Sequence, residues 1–306
     1  MSDIALTSQL RARGFNDDDL ARLRRRGDLV RVRRGAYALP SKLEQVDTSE
    51  AEDRHRLLIA ATAPQLSPGA VISHASAAVL PGLPTWPEAL NRVHVIRSRN
   101  YGGKIRTVVA VHCAPFLPTE VIQIDGIPTT TLARTVVDLA LSRPFEEAVA
   151  AGDRALTLQL APATLISVMR RMERWPNIRQ ARRAVAFLDA KSEGAGESVS
   201  RVRIVDEGLP APQLQRQITN VAGRAIGRVD FCWEEQRTIG EFDGKIKYGR
   251  LLQPGQTSQD VIFAEKIRED ELRDNGGSSD RRSRVHPGRL TDDLAVQPRI
   301  SRTSHP

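Results

Sequence analysis

The chain has 306 residues, 40% of them hydrophobic and 27% charged, with a formal net charge of +8. That length suits about two domains, and the balance suits a globular protein rather than a fibrous or disordered one. No apolar run approaches the roughly 18 residues that cross a bilayer, and the opening "MSDIALTSQLRARGF" lacks a secretory pattern. Two cysteines, Cys113 and Cys232, belong to no metal-spaced cluster, so neither a disulfide framework nor a zinc site is expected. The expectation is a cytoplasmic protein with no membrane partner.

A positive excess favours an anionic partner, nucleic acid first. Between Arg11 and Arg34 nine arginines face four aspartates. Residues 4–12 and 17–26 read as short helices. The second, "NDDDLARLRRRG", has Asn16 or Asp17 to cap it, early acids to suit its positive end, and Gly27 to stop it. "DLVRVRRGAYALP" then reads as two small strands around a basic turn. Helix, helix and basic hairpin is the order of a winged helix-turn-helix, which puts a helix in the DNA major groove and a wing on phosphates. Arg24, Arg25 and Arg26 on the helix and Arg31, Arg33 and Arg34 on the hairpin are the candidate DNA-binding residues.

Residues 41–52 read as a linker, and Ala51 to Ala63 as a helix stopped by Pro64. "GAVISHASAAVLPGLP" reads as a strand running into a short Ala-rich helix, with His74 structural or capping. "RVHVIRS" and "RTVVAVHCA" alternate as strands. "IPTTTLARTVVDLAL" starts a helix on its threonines, with Asp138 a hydrogen-bonded structural acid, and residues 145–190 continue as helices. Near 190 the polar joint "KSEGAGES" marks a boundary, followed by a helix over 196–207, strands, and a charged helix over 260–274.

The stretch "RVDFCWEEQRTIGEFDGKIKY" reads as a hairpin, Val229 to Trp233 and Thr238 to Ile246, turning at 234–237. With Trp233 facing Thr238, antiparallel counting sets Asp230 against Glu241, with Asp243 and Lys245 on the same face. Opposed acids repel. Mg²⁺ or Mn²⁺ would offset that and would equip metal-assisted phosphodiester hydrolysis; the acids read equally well as partners of Lys245, Lys247 and nearby arginines in surface salt bridges.

Two resemblances add to this reading. "RGFNDDDLARLRRRGDLVRVRRGAYAL", "ISHASAAVLPGLP" and "IDGIPTTTLARTVVDLA" resemble the AbiEi-type antitoxins of type IV toxin–antitoxin systems, over roughly residues 4–160. That implies DNA binding, transcriptional autoregulation and, in true pairs, neutralisation of a nucleotidyltransferase toxin. "GESVSRVRIVDEGLPAPQLQRQI", "RVDFCW", "GEFDGKIKYG" and "EKIREDELRDNG" resemble the endonuclease-like domains related to very-short-patch-repair enzymes, of the PD-(D/E)XK superfamily. That resemblance implies Asp230, Glu241 and Asp243 as metal ligands, Glu197 as an auxiliary acid, and Lys245 or Lys247 as the catalytic lysine.

The expected fold is mixed α/β. Residues 1–40 form the winged helix-turn-helix, 41–190 a mixed α/β antitoxin-like scaffold, 191–276 a restriction-endonuclease-like domain and 277–306 a disordered basic tail without strand alternation. The expected function is that of a DNA-binding regulator of antitoxin type with a nuclease-like domain that hydrolyses DNA. The alternative is a catalytically inactive protein that autoregulates transcription and neutralises a nucleotidyltransferase-type toxin.

Overall fold

The computed structural model describes residues 4–43, 51–99, 102–219, 224–242 and 298–302, and the chain divides into two compact units, Met1–Leu188 and Asp189–Pro306. The fold is mixed α/β.

The first unit opens with β1 (Ile4–Leu6), α1 (Thr7–Ala12), α2 (Asp17–Arg26), β2 (Val30–Arg33) and β3 (Ala36–Ala38), the strands forming an antiparallel sheet in the order β1-β3-β2. Residues 4–6, expected to begin a helix, are a strand instead. Ile4 pairs with Ala38 and Leu6 with Ala36, and both apolar side chains enter a cluster with Ala36, Ala38 and Ala61. The sheet supplies backbone partners and burial together, which outweighs the helical tendency of a three-residue segment. In α2 the cap is Asn16: its Oδ1 accepts the Asp19 N–H at 2.9 Å, and the Asp19 carboxylate accepts the Asn16 N–H at 3.0 Å. Gly27, at φ 82°, ends the helix in the left-handed conformation. Leu10, Leu20, Leu29 and Tyr37 hold the two helices to the hairpin.

There follow α3 (Pro40–Leu43), α4 (Ala51–Thr62), β4 (Ala70–Ile72), α5 (His74–Val79), β5 (Val93–Arg97), β6 (Lys104–Ile105), β7 (Val109–Cys113), β8 (Val121–Ile124), β9 (Ile127–Thr130), α6 (Leu132–Ser142), α7 (Phe145–Thr157), α8 (Pro162–Arg171) and α9 (Ile178–Phe187). Six of these strands form one mixed sheet, β6-β7-β5-β4-β9-β8. β5 and β7 run parallel, and β6 pairs antiparallel along β7. α4 serves both sheets: Ala61 packs in the cluster of the first, while Ile59 packs with Ile72, Ala77, Val93 and Val95 of the second. The α4 imidazole of His55 meets the Leu90 carbonyl and the Ser76 hydroxyl, each at 2.8 Å, and burial lowers it to about 4.

Asp138 is a hydrogen-bonded structural acid. Arg134, fully enclosed on α6, donates through Nε to Asp138 Oδ1 at 2.9 Å and through Nη1 to Glu120 Oε2 at 3.0 Å, with its guanidinium over the Trp175 ring. Burial alone would raise the Glu120 carboxyl, but the Leu117 N–H and the guanidinium groups of Arg171 and Arg134 hold it below its ordinary value.

The second unit contains α10 (Ala195–Asp206), β10 (Gln213–Thr219), β11 (Ala225–Trp233), β12 (Thr238–Phe242) and β13 (Pro298–Arg302), an antiparallel sheet in the order β10-β11-β12-β13. β13 corrects the expectation of a tail without a strand. Pro298 pairs with Phe242 and Arg302 with Thr238, because backbone groups build a ladder whatever the side chains, and proline is tolerated as the first residue of an edge strand. The helix expected over 260–274 lies outside the described residues. Phe231, Trp233 and Leu214 form a core with Ile204 and Phe242, and the Phe242 ring fills the space above Gly196, where a Cβ would stand 2.1 Å from it.

Candidate nucleic-acid interface and acidic site

Four residues separate α1 from α2, and β2 and β3 form the hairpin that follows. Of the three acids in the first turn of α2, Asp17 pairs with Arg11 at 2.7 Å and Asp19 pairs with Arg22 and closes the capping box, while Asp18 is exposed. The last turn is different. Arg24, Arg25 and Arg26 are exposed there, as are Arg31 and Arg34 on the hairpin, and none of these five makes an ion pair among the described residues. Arg33 is half-buried; its Nε lacks a partner, and burial lowers its pKa. Helix and hairpin thus offer five solvated guanidinium groups without an ion pair among the described residues, the chemistry that holds phosphates.

In the second unit the strand pairing runs from Trp233–Thr238 to Phe231–Gly240, which is the expected register. Beyond Phe231 the Asp230 side chain takes over: its Oδ2 accepts the Phe242 N–H at 2.8 Å. Its Oδ1 accepts from Gln215 Nε2 at 3.2 Å, and the same amide nitrogen donates to Glu197 Oε2 at 3.1 Å. Asp230 and Glu197 are therefore brought together, across a shared amide. Burial raises the Glu197 pKa; the Glu193 N–H opposes that, and the neighbouring Asp230 charge adds to it. Gln215 itself has φ +54° within β10, a strained conformation for a non-glycine residue and one that recurs at functional sites. Nothing in the alternation of "PQLQRQI" marks Gln215, because its role depends on where α10 comes to lie.

Glu241 is on β12, in register with Arg299 of β13. Asp243, Lys245 and Lys247 lie outside the described residues. Among the described residues no group of three His, Cys, Asp or Glu side chains could hold a metal ion. The two carboxylates that do approach one another fit a hard divalent cation in donor type, since Mg²⁺ is commonly held by one or two carboxylates with water and phosphate completing the shell.

Residues 2–40 match the family model described as transcriptional regulator, AbiEi antitoxin. Over 257 residues the chain is 27% identical to the uncharacterized protein Rv2248 of Mycobacterium tuberculosis strain ATCC 25618 / H37Rv, covering 79% of this chain and 89% of the relative. The same figures hold for the uncharacterized protein MT2308 of strain CDC 1551 / Oshkosh. Among solved structures, the RV2827C protein of Mycobacterium tuberculosis is similar with a TM-score of 0.39 and 15% identity, over 69% of this chain and 78% of that one. No helix among the described residues is long and apolar enough to cross a membrane.

Proposed function

We propose that this protein is a DNA-binding transcriptional regulator of the antitoxin type, with α2 entering the major groove and the β2–β3 hairpin resting on phosphates. The observation that carries it is the set of five exposed arginines without ion pairs on α2 and the hairpin, within the segment that matches the regulator family. The family match supports a regulator with a toxin partner in general; in this reading the protein regulates its own gene and the toxin is of the nucleotidyltransferase type. Each guanidinium that neutralises one phosphate lowers the slope of log K against log salt by about one. The test is fluorescence anisotropy on the DNA upstream of the protein's own gene, across a salt series. Replacing Arg24, Arg25, Arg31 and Arg34 by alanine together should weaken binding and flatten that slope by about four. Unchanged affinity and slope would rule out the winged-helix interface.

A second reading is favoured by Glu197 and Asp230 meeting on Gln215. In it the second unit cleaves DNA phosphodiesters. Mg²⁺ or Mn²⁺, when bound, would supply charge neutralisation and an activated water, with Asp230 and Glu197 as the described residues that would hold it and with Glu241 and Asp243 completing the set. Gln215 would position the two carboxylates, and Lys245 or Lys247 would stabilise the phosphoryl charge. Purified protein should then nick plasmid DNA only with added metal, and Asp230→Asn should abolish nicking. Nicking that persists in that variant would remove the second reading and leave the first intact.

A further inference from the structure

A cavity of about 750 Å³ opens within the first unit between β5, β6, β7, α5, α6 and the segment 175–177, lined among others by His74, His94, His112, Asp138, Arg92 and Lys104. Its size suits a small organic molecule. Three imidazoles meet there. His74 and His112 stack with ring centroids 3.7 Å apart and planes 16° from parallel, and His94 Nδ1 lies 2.9 Å from His112 Nε2. Lone pairs in the planes of stacked rings run side by side instead of converging, and among the described residues no group of three such side chains could hold a metal ion.

The hydrogen bonds fix which nitrogens hold protons. His94 Nε2 lies 3.2 Å from the Ala89 carbonyl oxygen, which only accepts, so that nitrogen carries hydrogen. His94 Nδ1 is then the acceptor, and His112 Nε2 must donate to it. His112 Nδ1 is left with a bare lone pair, and no donor reaches it among the described residues. Burial keeps both rings neutral: it holds His112 to about 3, helped by the charges of His74 and His94 and opposed by Asp138, and it lowers His94 against the Ala89 hydrogen bond. Asp138, 2% exposed, presents the same deficit, because Oδ1 takes the Arg134 hydrogen bond and Oδ2 has no partner. Two neighbouring acceptors on the cavity wall therefore lack donors. Around the same cavity Arg92 and Lys104 are exposed cations without an ion pair among the described residues, while Arg143 is held by Glu147 and Glu88 supplies the remaining acid.

We propose that this cavity binds a small molecule with a hydrogen-bond-donating head, an ammonium or hydroxyl group, and an anionic tail, a carboxylate or phosphate. The head lies at Asp138 and His112, and the tail at Arg92 and Lys104. Such a ligand supplies the missing donors and neutralises the two cations at once. The site is separate from the DNA interface and stands whether or not that interface does.

The test uses the full-length protein with four probes at millimolar concentration, read by thermal melting and by the ¹⁵N resonances of the histidine rings. L-Glutamate has an ammonium head and a carboxylate tail; glucose 6-phosphate has hydroxyl heads and a phosphate tail. Inorganic phosphate is tail alone and ethylammonium head alone. At least one two-ended probe should raise the melting temperature and move the His112 Nδ1 resonance away from its bare-lone-pair position, and which one does so names the source of the chemistry. The one-ended probes should do neither. Asp138→Asn and His112→Phe should each weaken the responding probe by about tenfold or more, the loss expected for one charged hydrogen bond. If Asp138→Asn does not fold, His112→Phe, which keeps a ring against His74, and the wild-type resonance decide. Silence from both two-ended probes, an equal response to inorganic phosphate, or full affinity in His112→Phe would overturn the proposal.

Discussion

Arg134 and the arginines of α2 and its hairpin carry the same guanidinium into opposite surroundings. Arg134 has no exposed surface and lies between Glu120 and Asp138, whereas Arg24, Arg25, Arg26, Arg31 and Arg34 stand in solvent with no ion pair among the described residues. The difference teaches that the partners around a charge, more than its identity, decide its work. A cation enclosed by two carboxylates is spent on holding α6 to the Leu117–Glu120 turn. A cation that nothing neutralises keeps its whole field for an outside anion.

The largest effect should come from breaking the enclosed side of that comparison. Arg134→Met leaves Asp138 buried without its counter-charge and Glu120 with Arg171 alone, and should cost about 3–5 kcal/mol in urea unfolding. Changing the protonation of the buried histidines comes next. Imidazoles titrate near 6.5 when unfolded, while His74 and His112 are held to about 3 and His55 to about 4. The unfolded chain therefore binds more protons between those values. The contribution of these histidines is complete above about 6.5 and is lost as the pH falls towards 3. Asp138, raised to about 6 by burial against the pull of Arg134, acts in the opposite sense, its contribution full below 3.8 and lost as pH rises through 6. Three histidines outweigh one carboxylate, so the urea midpoint should drop steadily between pH 6.5 and pH 4.

Smaller effects sharpen the contrast. Gly196→Ala drives a methyl into the Phe242 ring, and the overpacking should cost about 1–3 kcal/mol in a thermal melt. Asn16→Ala removes the cap of α2 and should cost about 1 kcal/mol, with DNA affinity falling alongside because the helix carries the arginines. Least of all, Arg24→Ala and Arg26→Ala should leave stability within about 0.5 kcal/mol of wild type while lowering DNA affinity. A stability loss as large as that of Arg134→Met would show that these arginines are structural after all.

Local signals made α2 legible to the residue. Asn16 caps it, Gly27 ends it, and Leu20 and Leu23 mark its inner side, so each boundary is set within one turn. The register of β11 and β12 was legible for the same reason, a four-residue turn between two alternating strands. β1 and β13 were not, since each is a short strand that exists only because a partner far along the chain offers its edge. The acids were half legible. Asp230 and Glu197 stood out as acids, but their meeting on Gln215 depends on how α10 lies over the sheet.

His74, His94 and His112 make the same point more sharply. They are scattered over 39 positions of chain, and in the sequence only His74 reads as a structural or capping residue. The parallel pairing of β5 with β7 sets His94 and His112 on neighbouring strands, and the start of α5 adds His74. The sequence by itself determined the basic helix and hairpin, the caps, the hairpin register and the mixed α/β class, because these rest on contacts between residues near one another in the chain. Tertiary structure alone decided which arginine is enclosed, where the histidines gather and which acceptors lack donors, because burial and long-range pairing are settled only once distant segments compete for the same space.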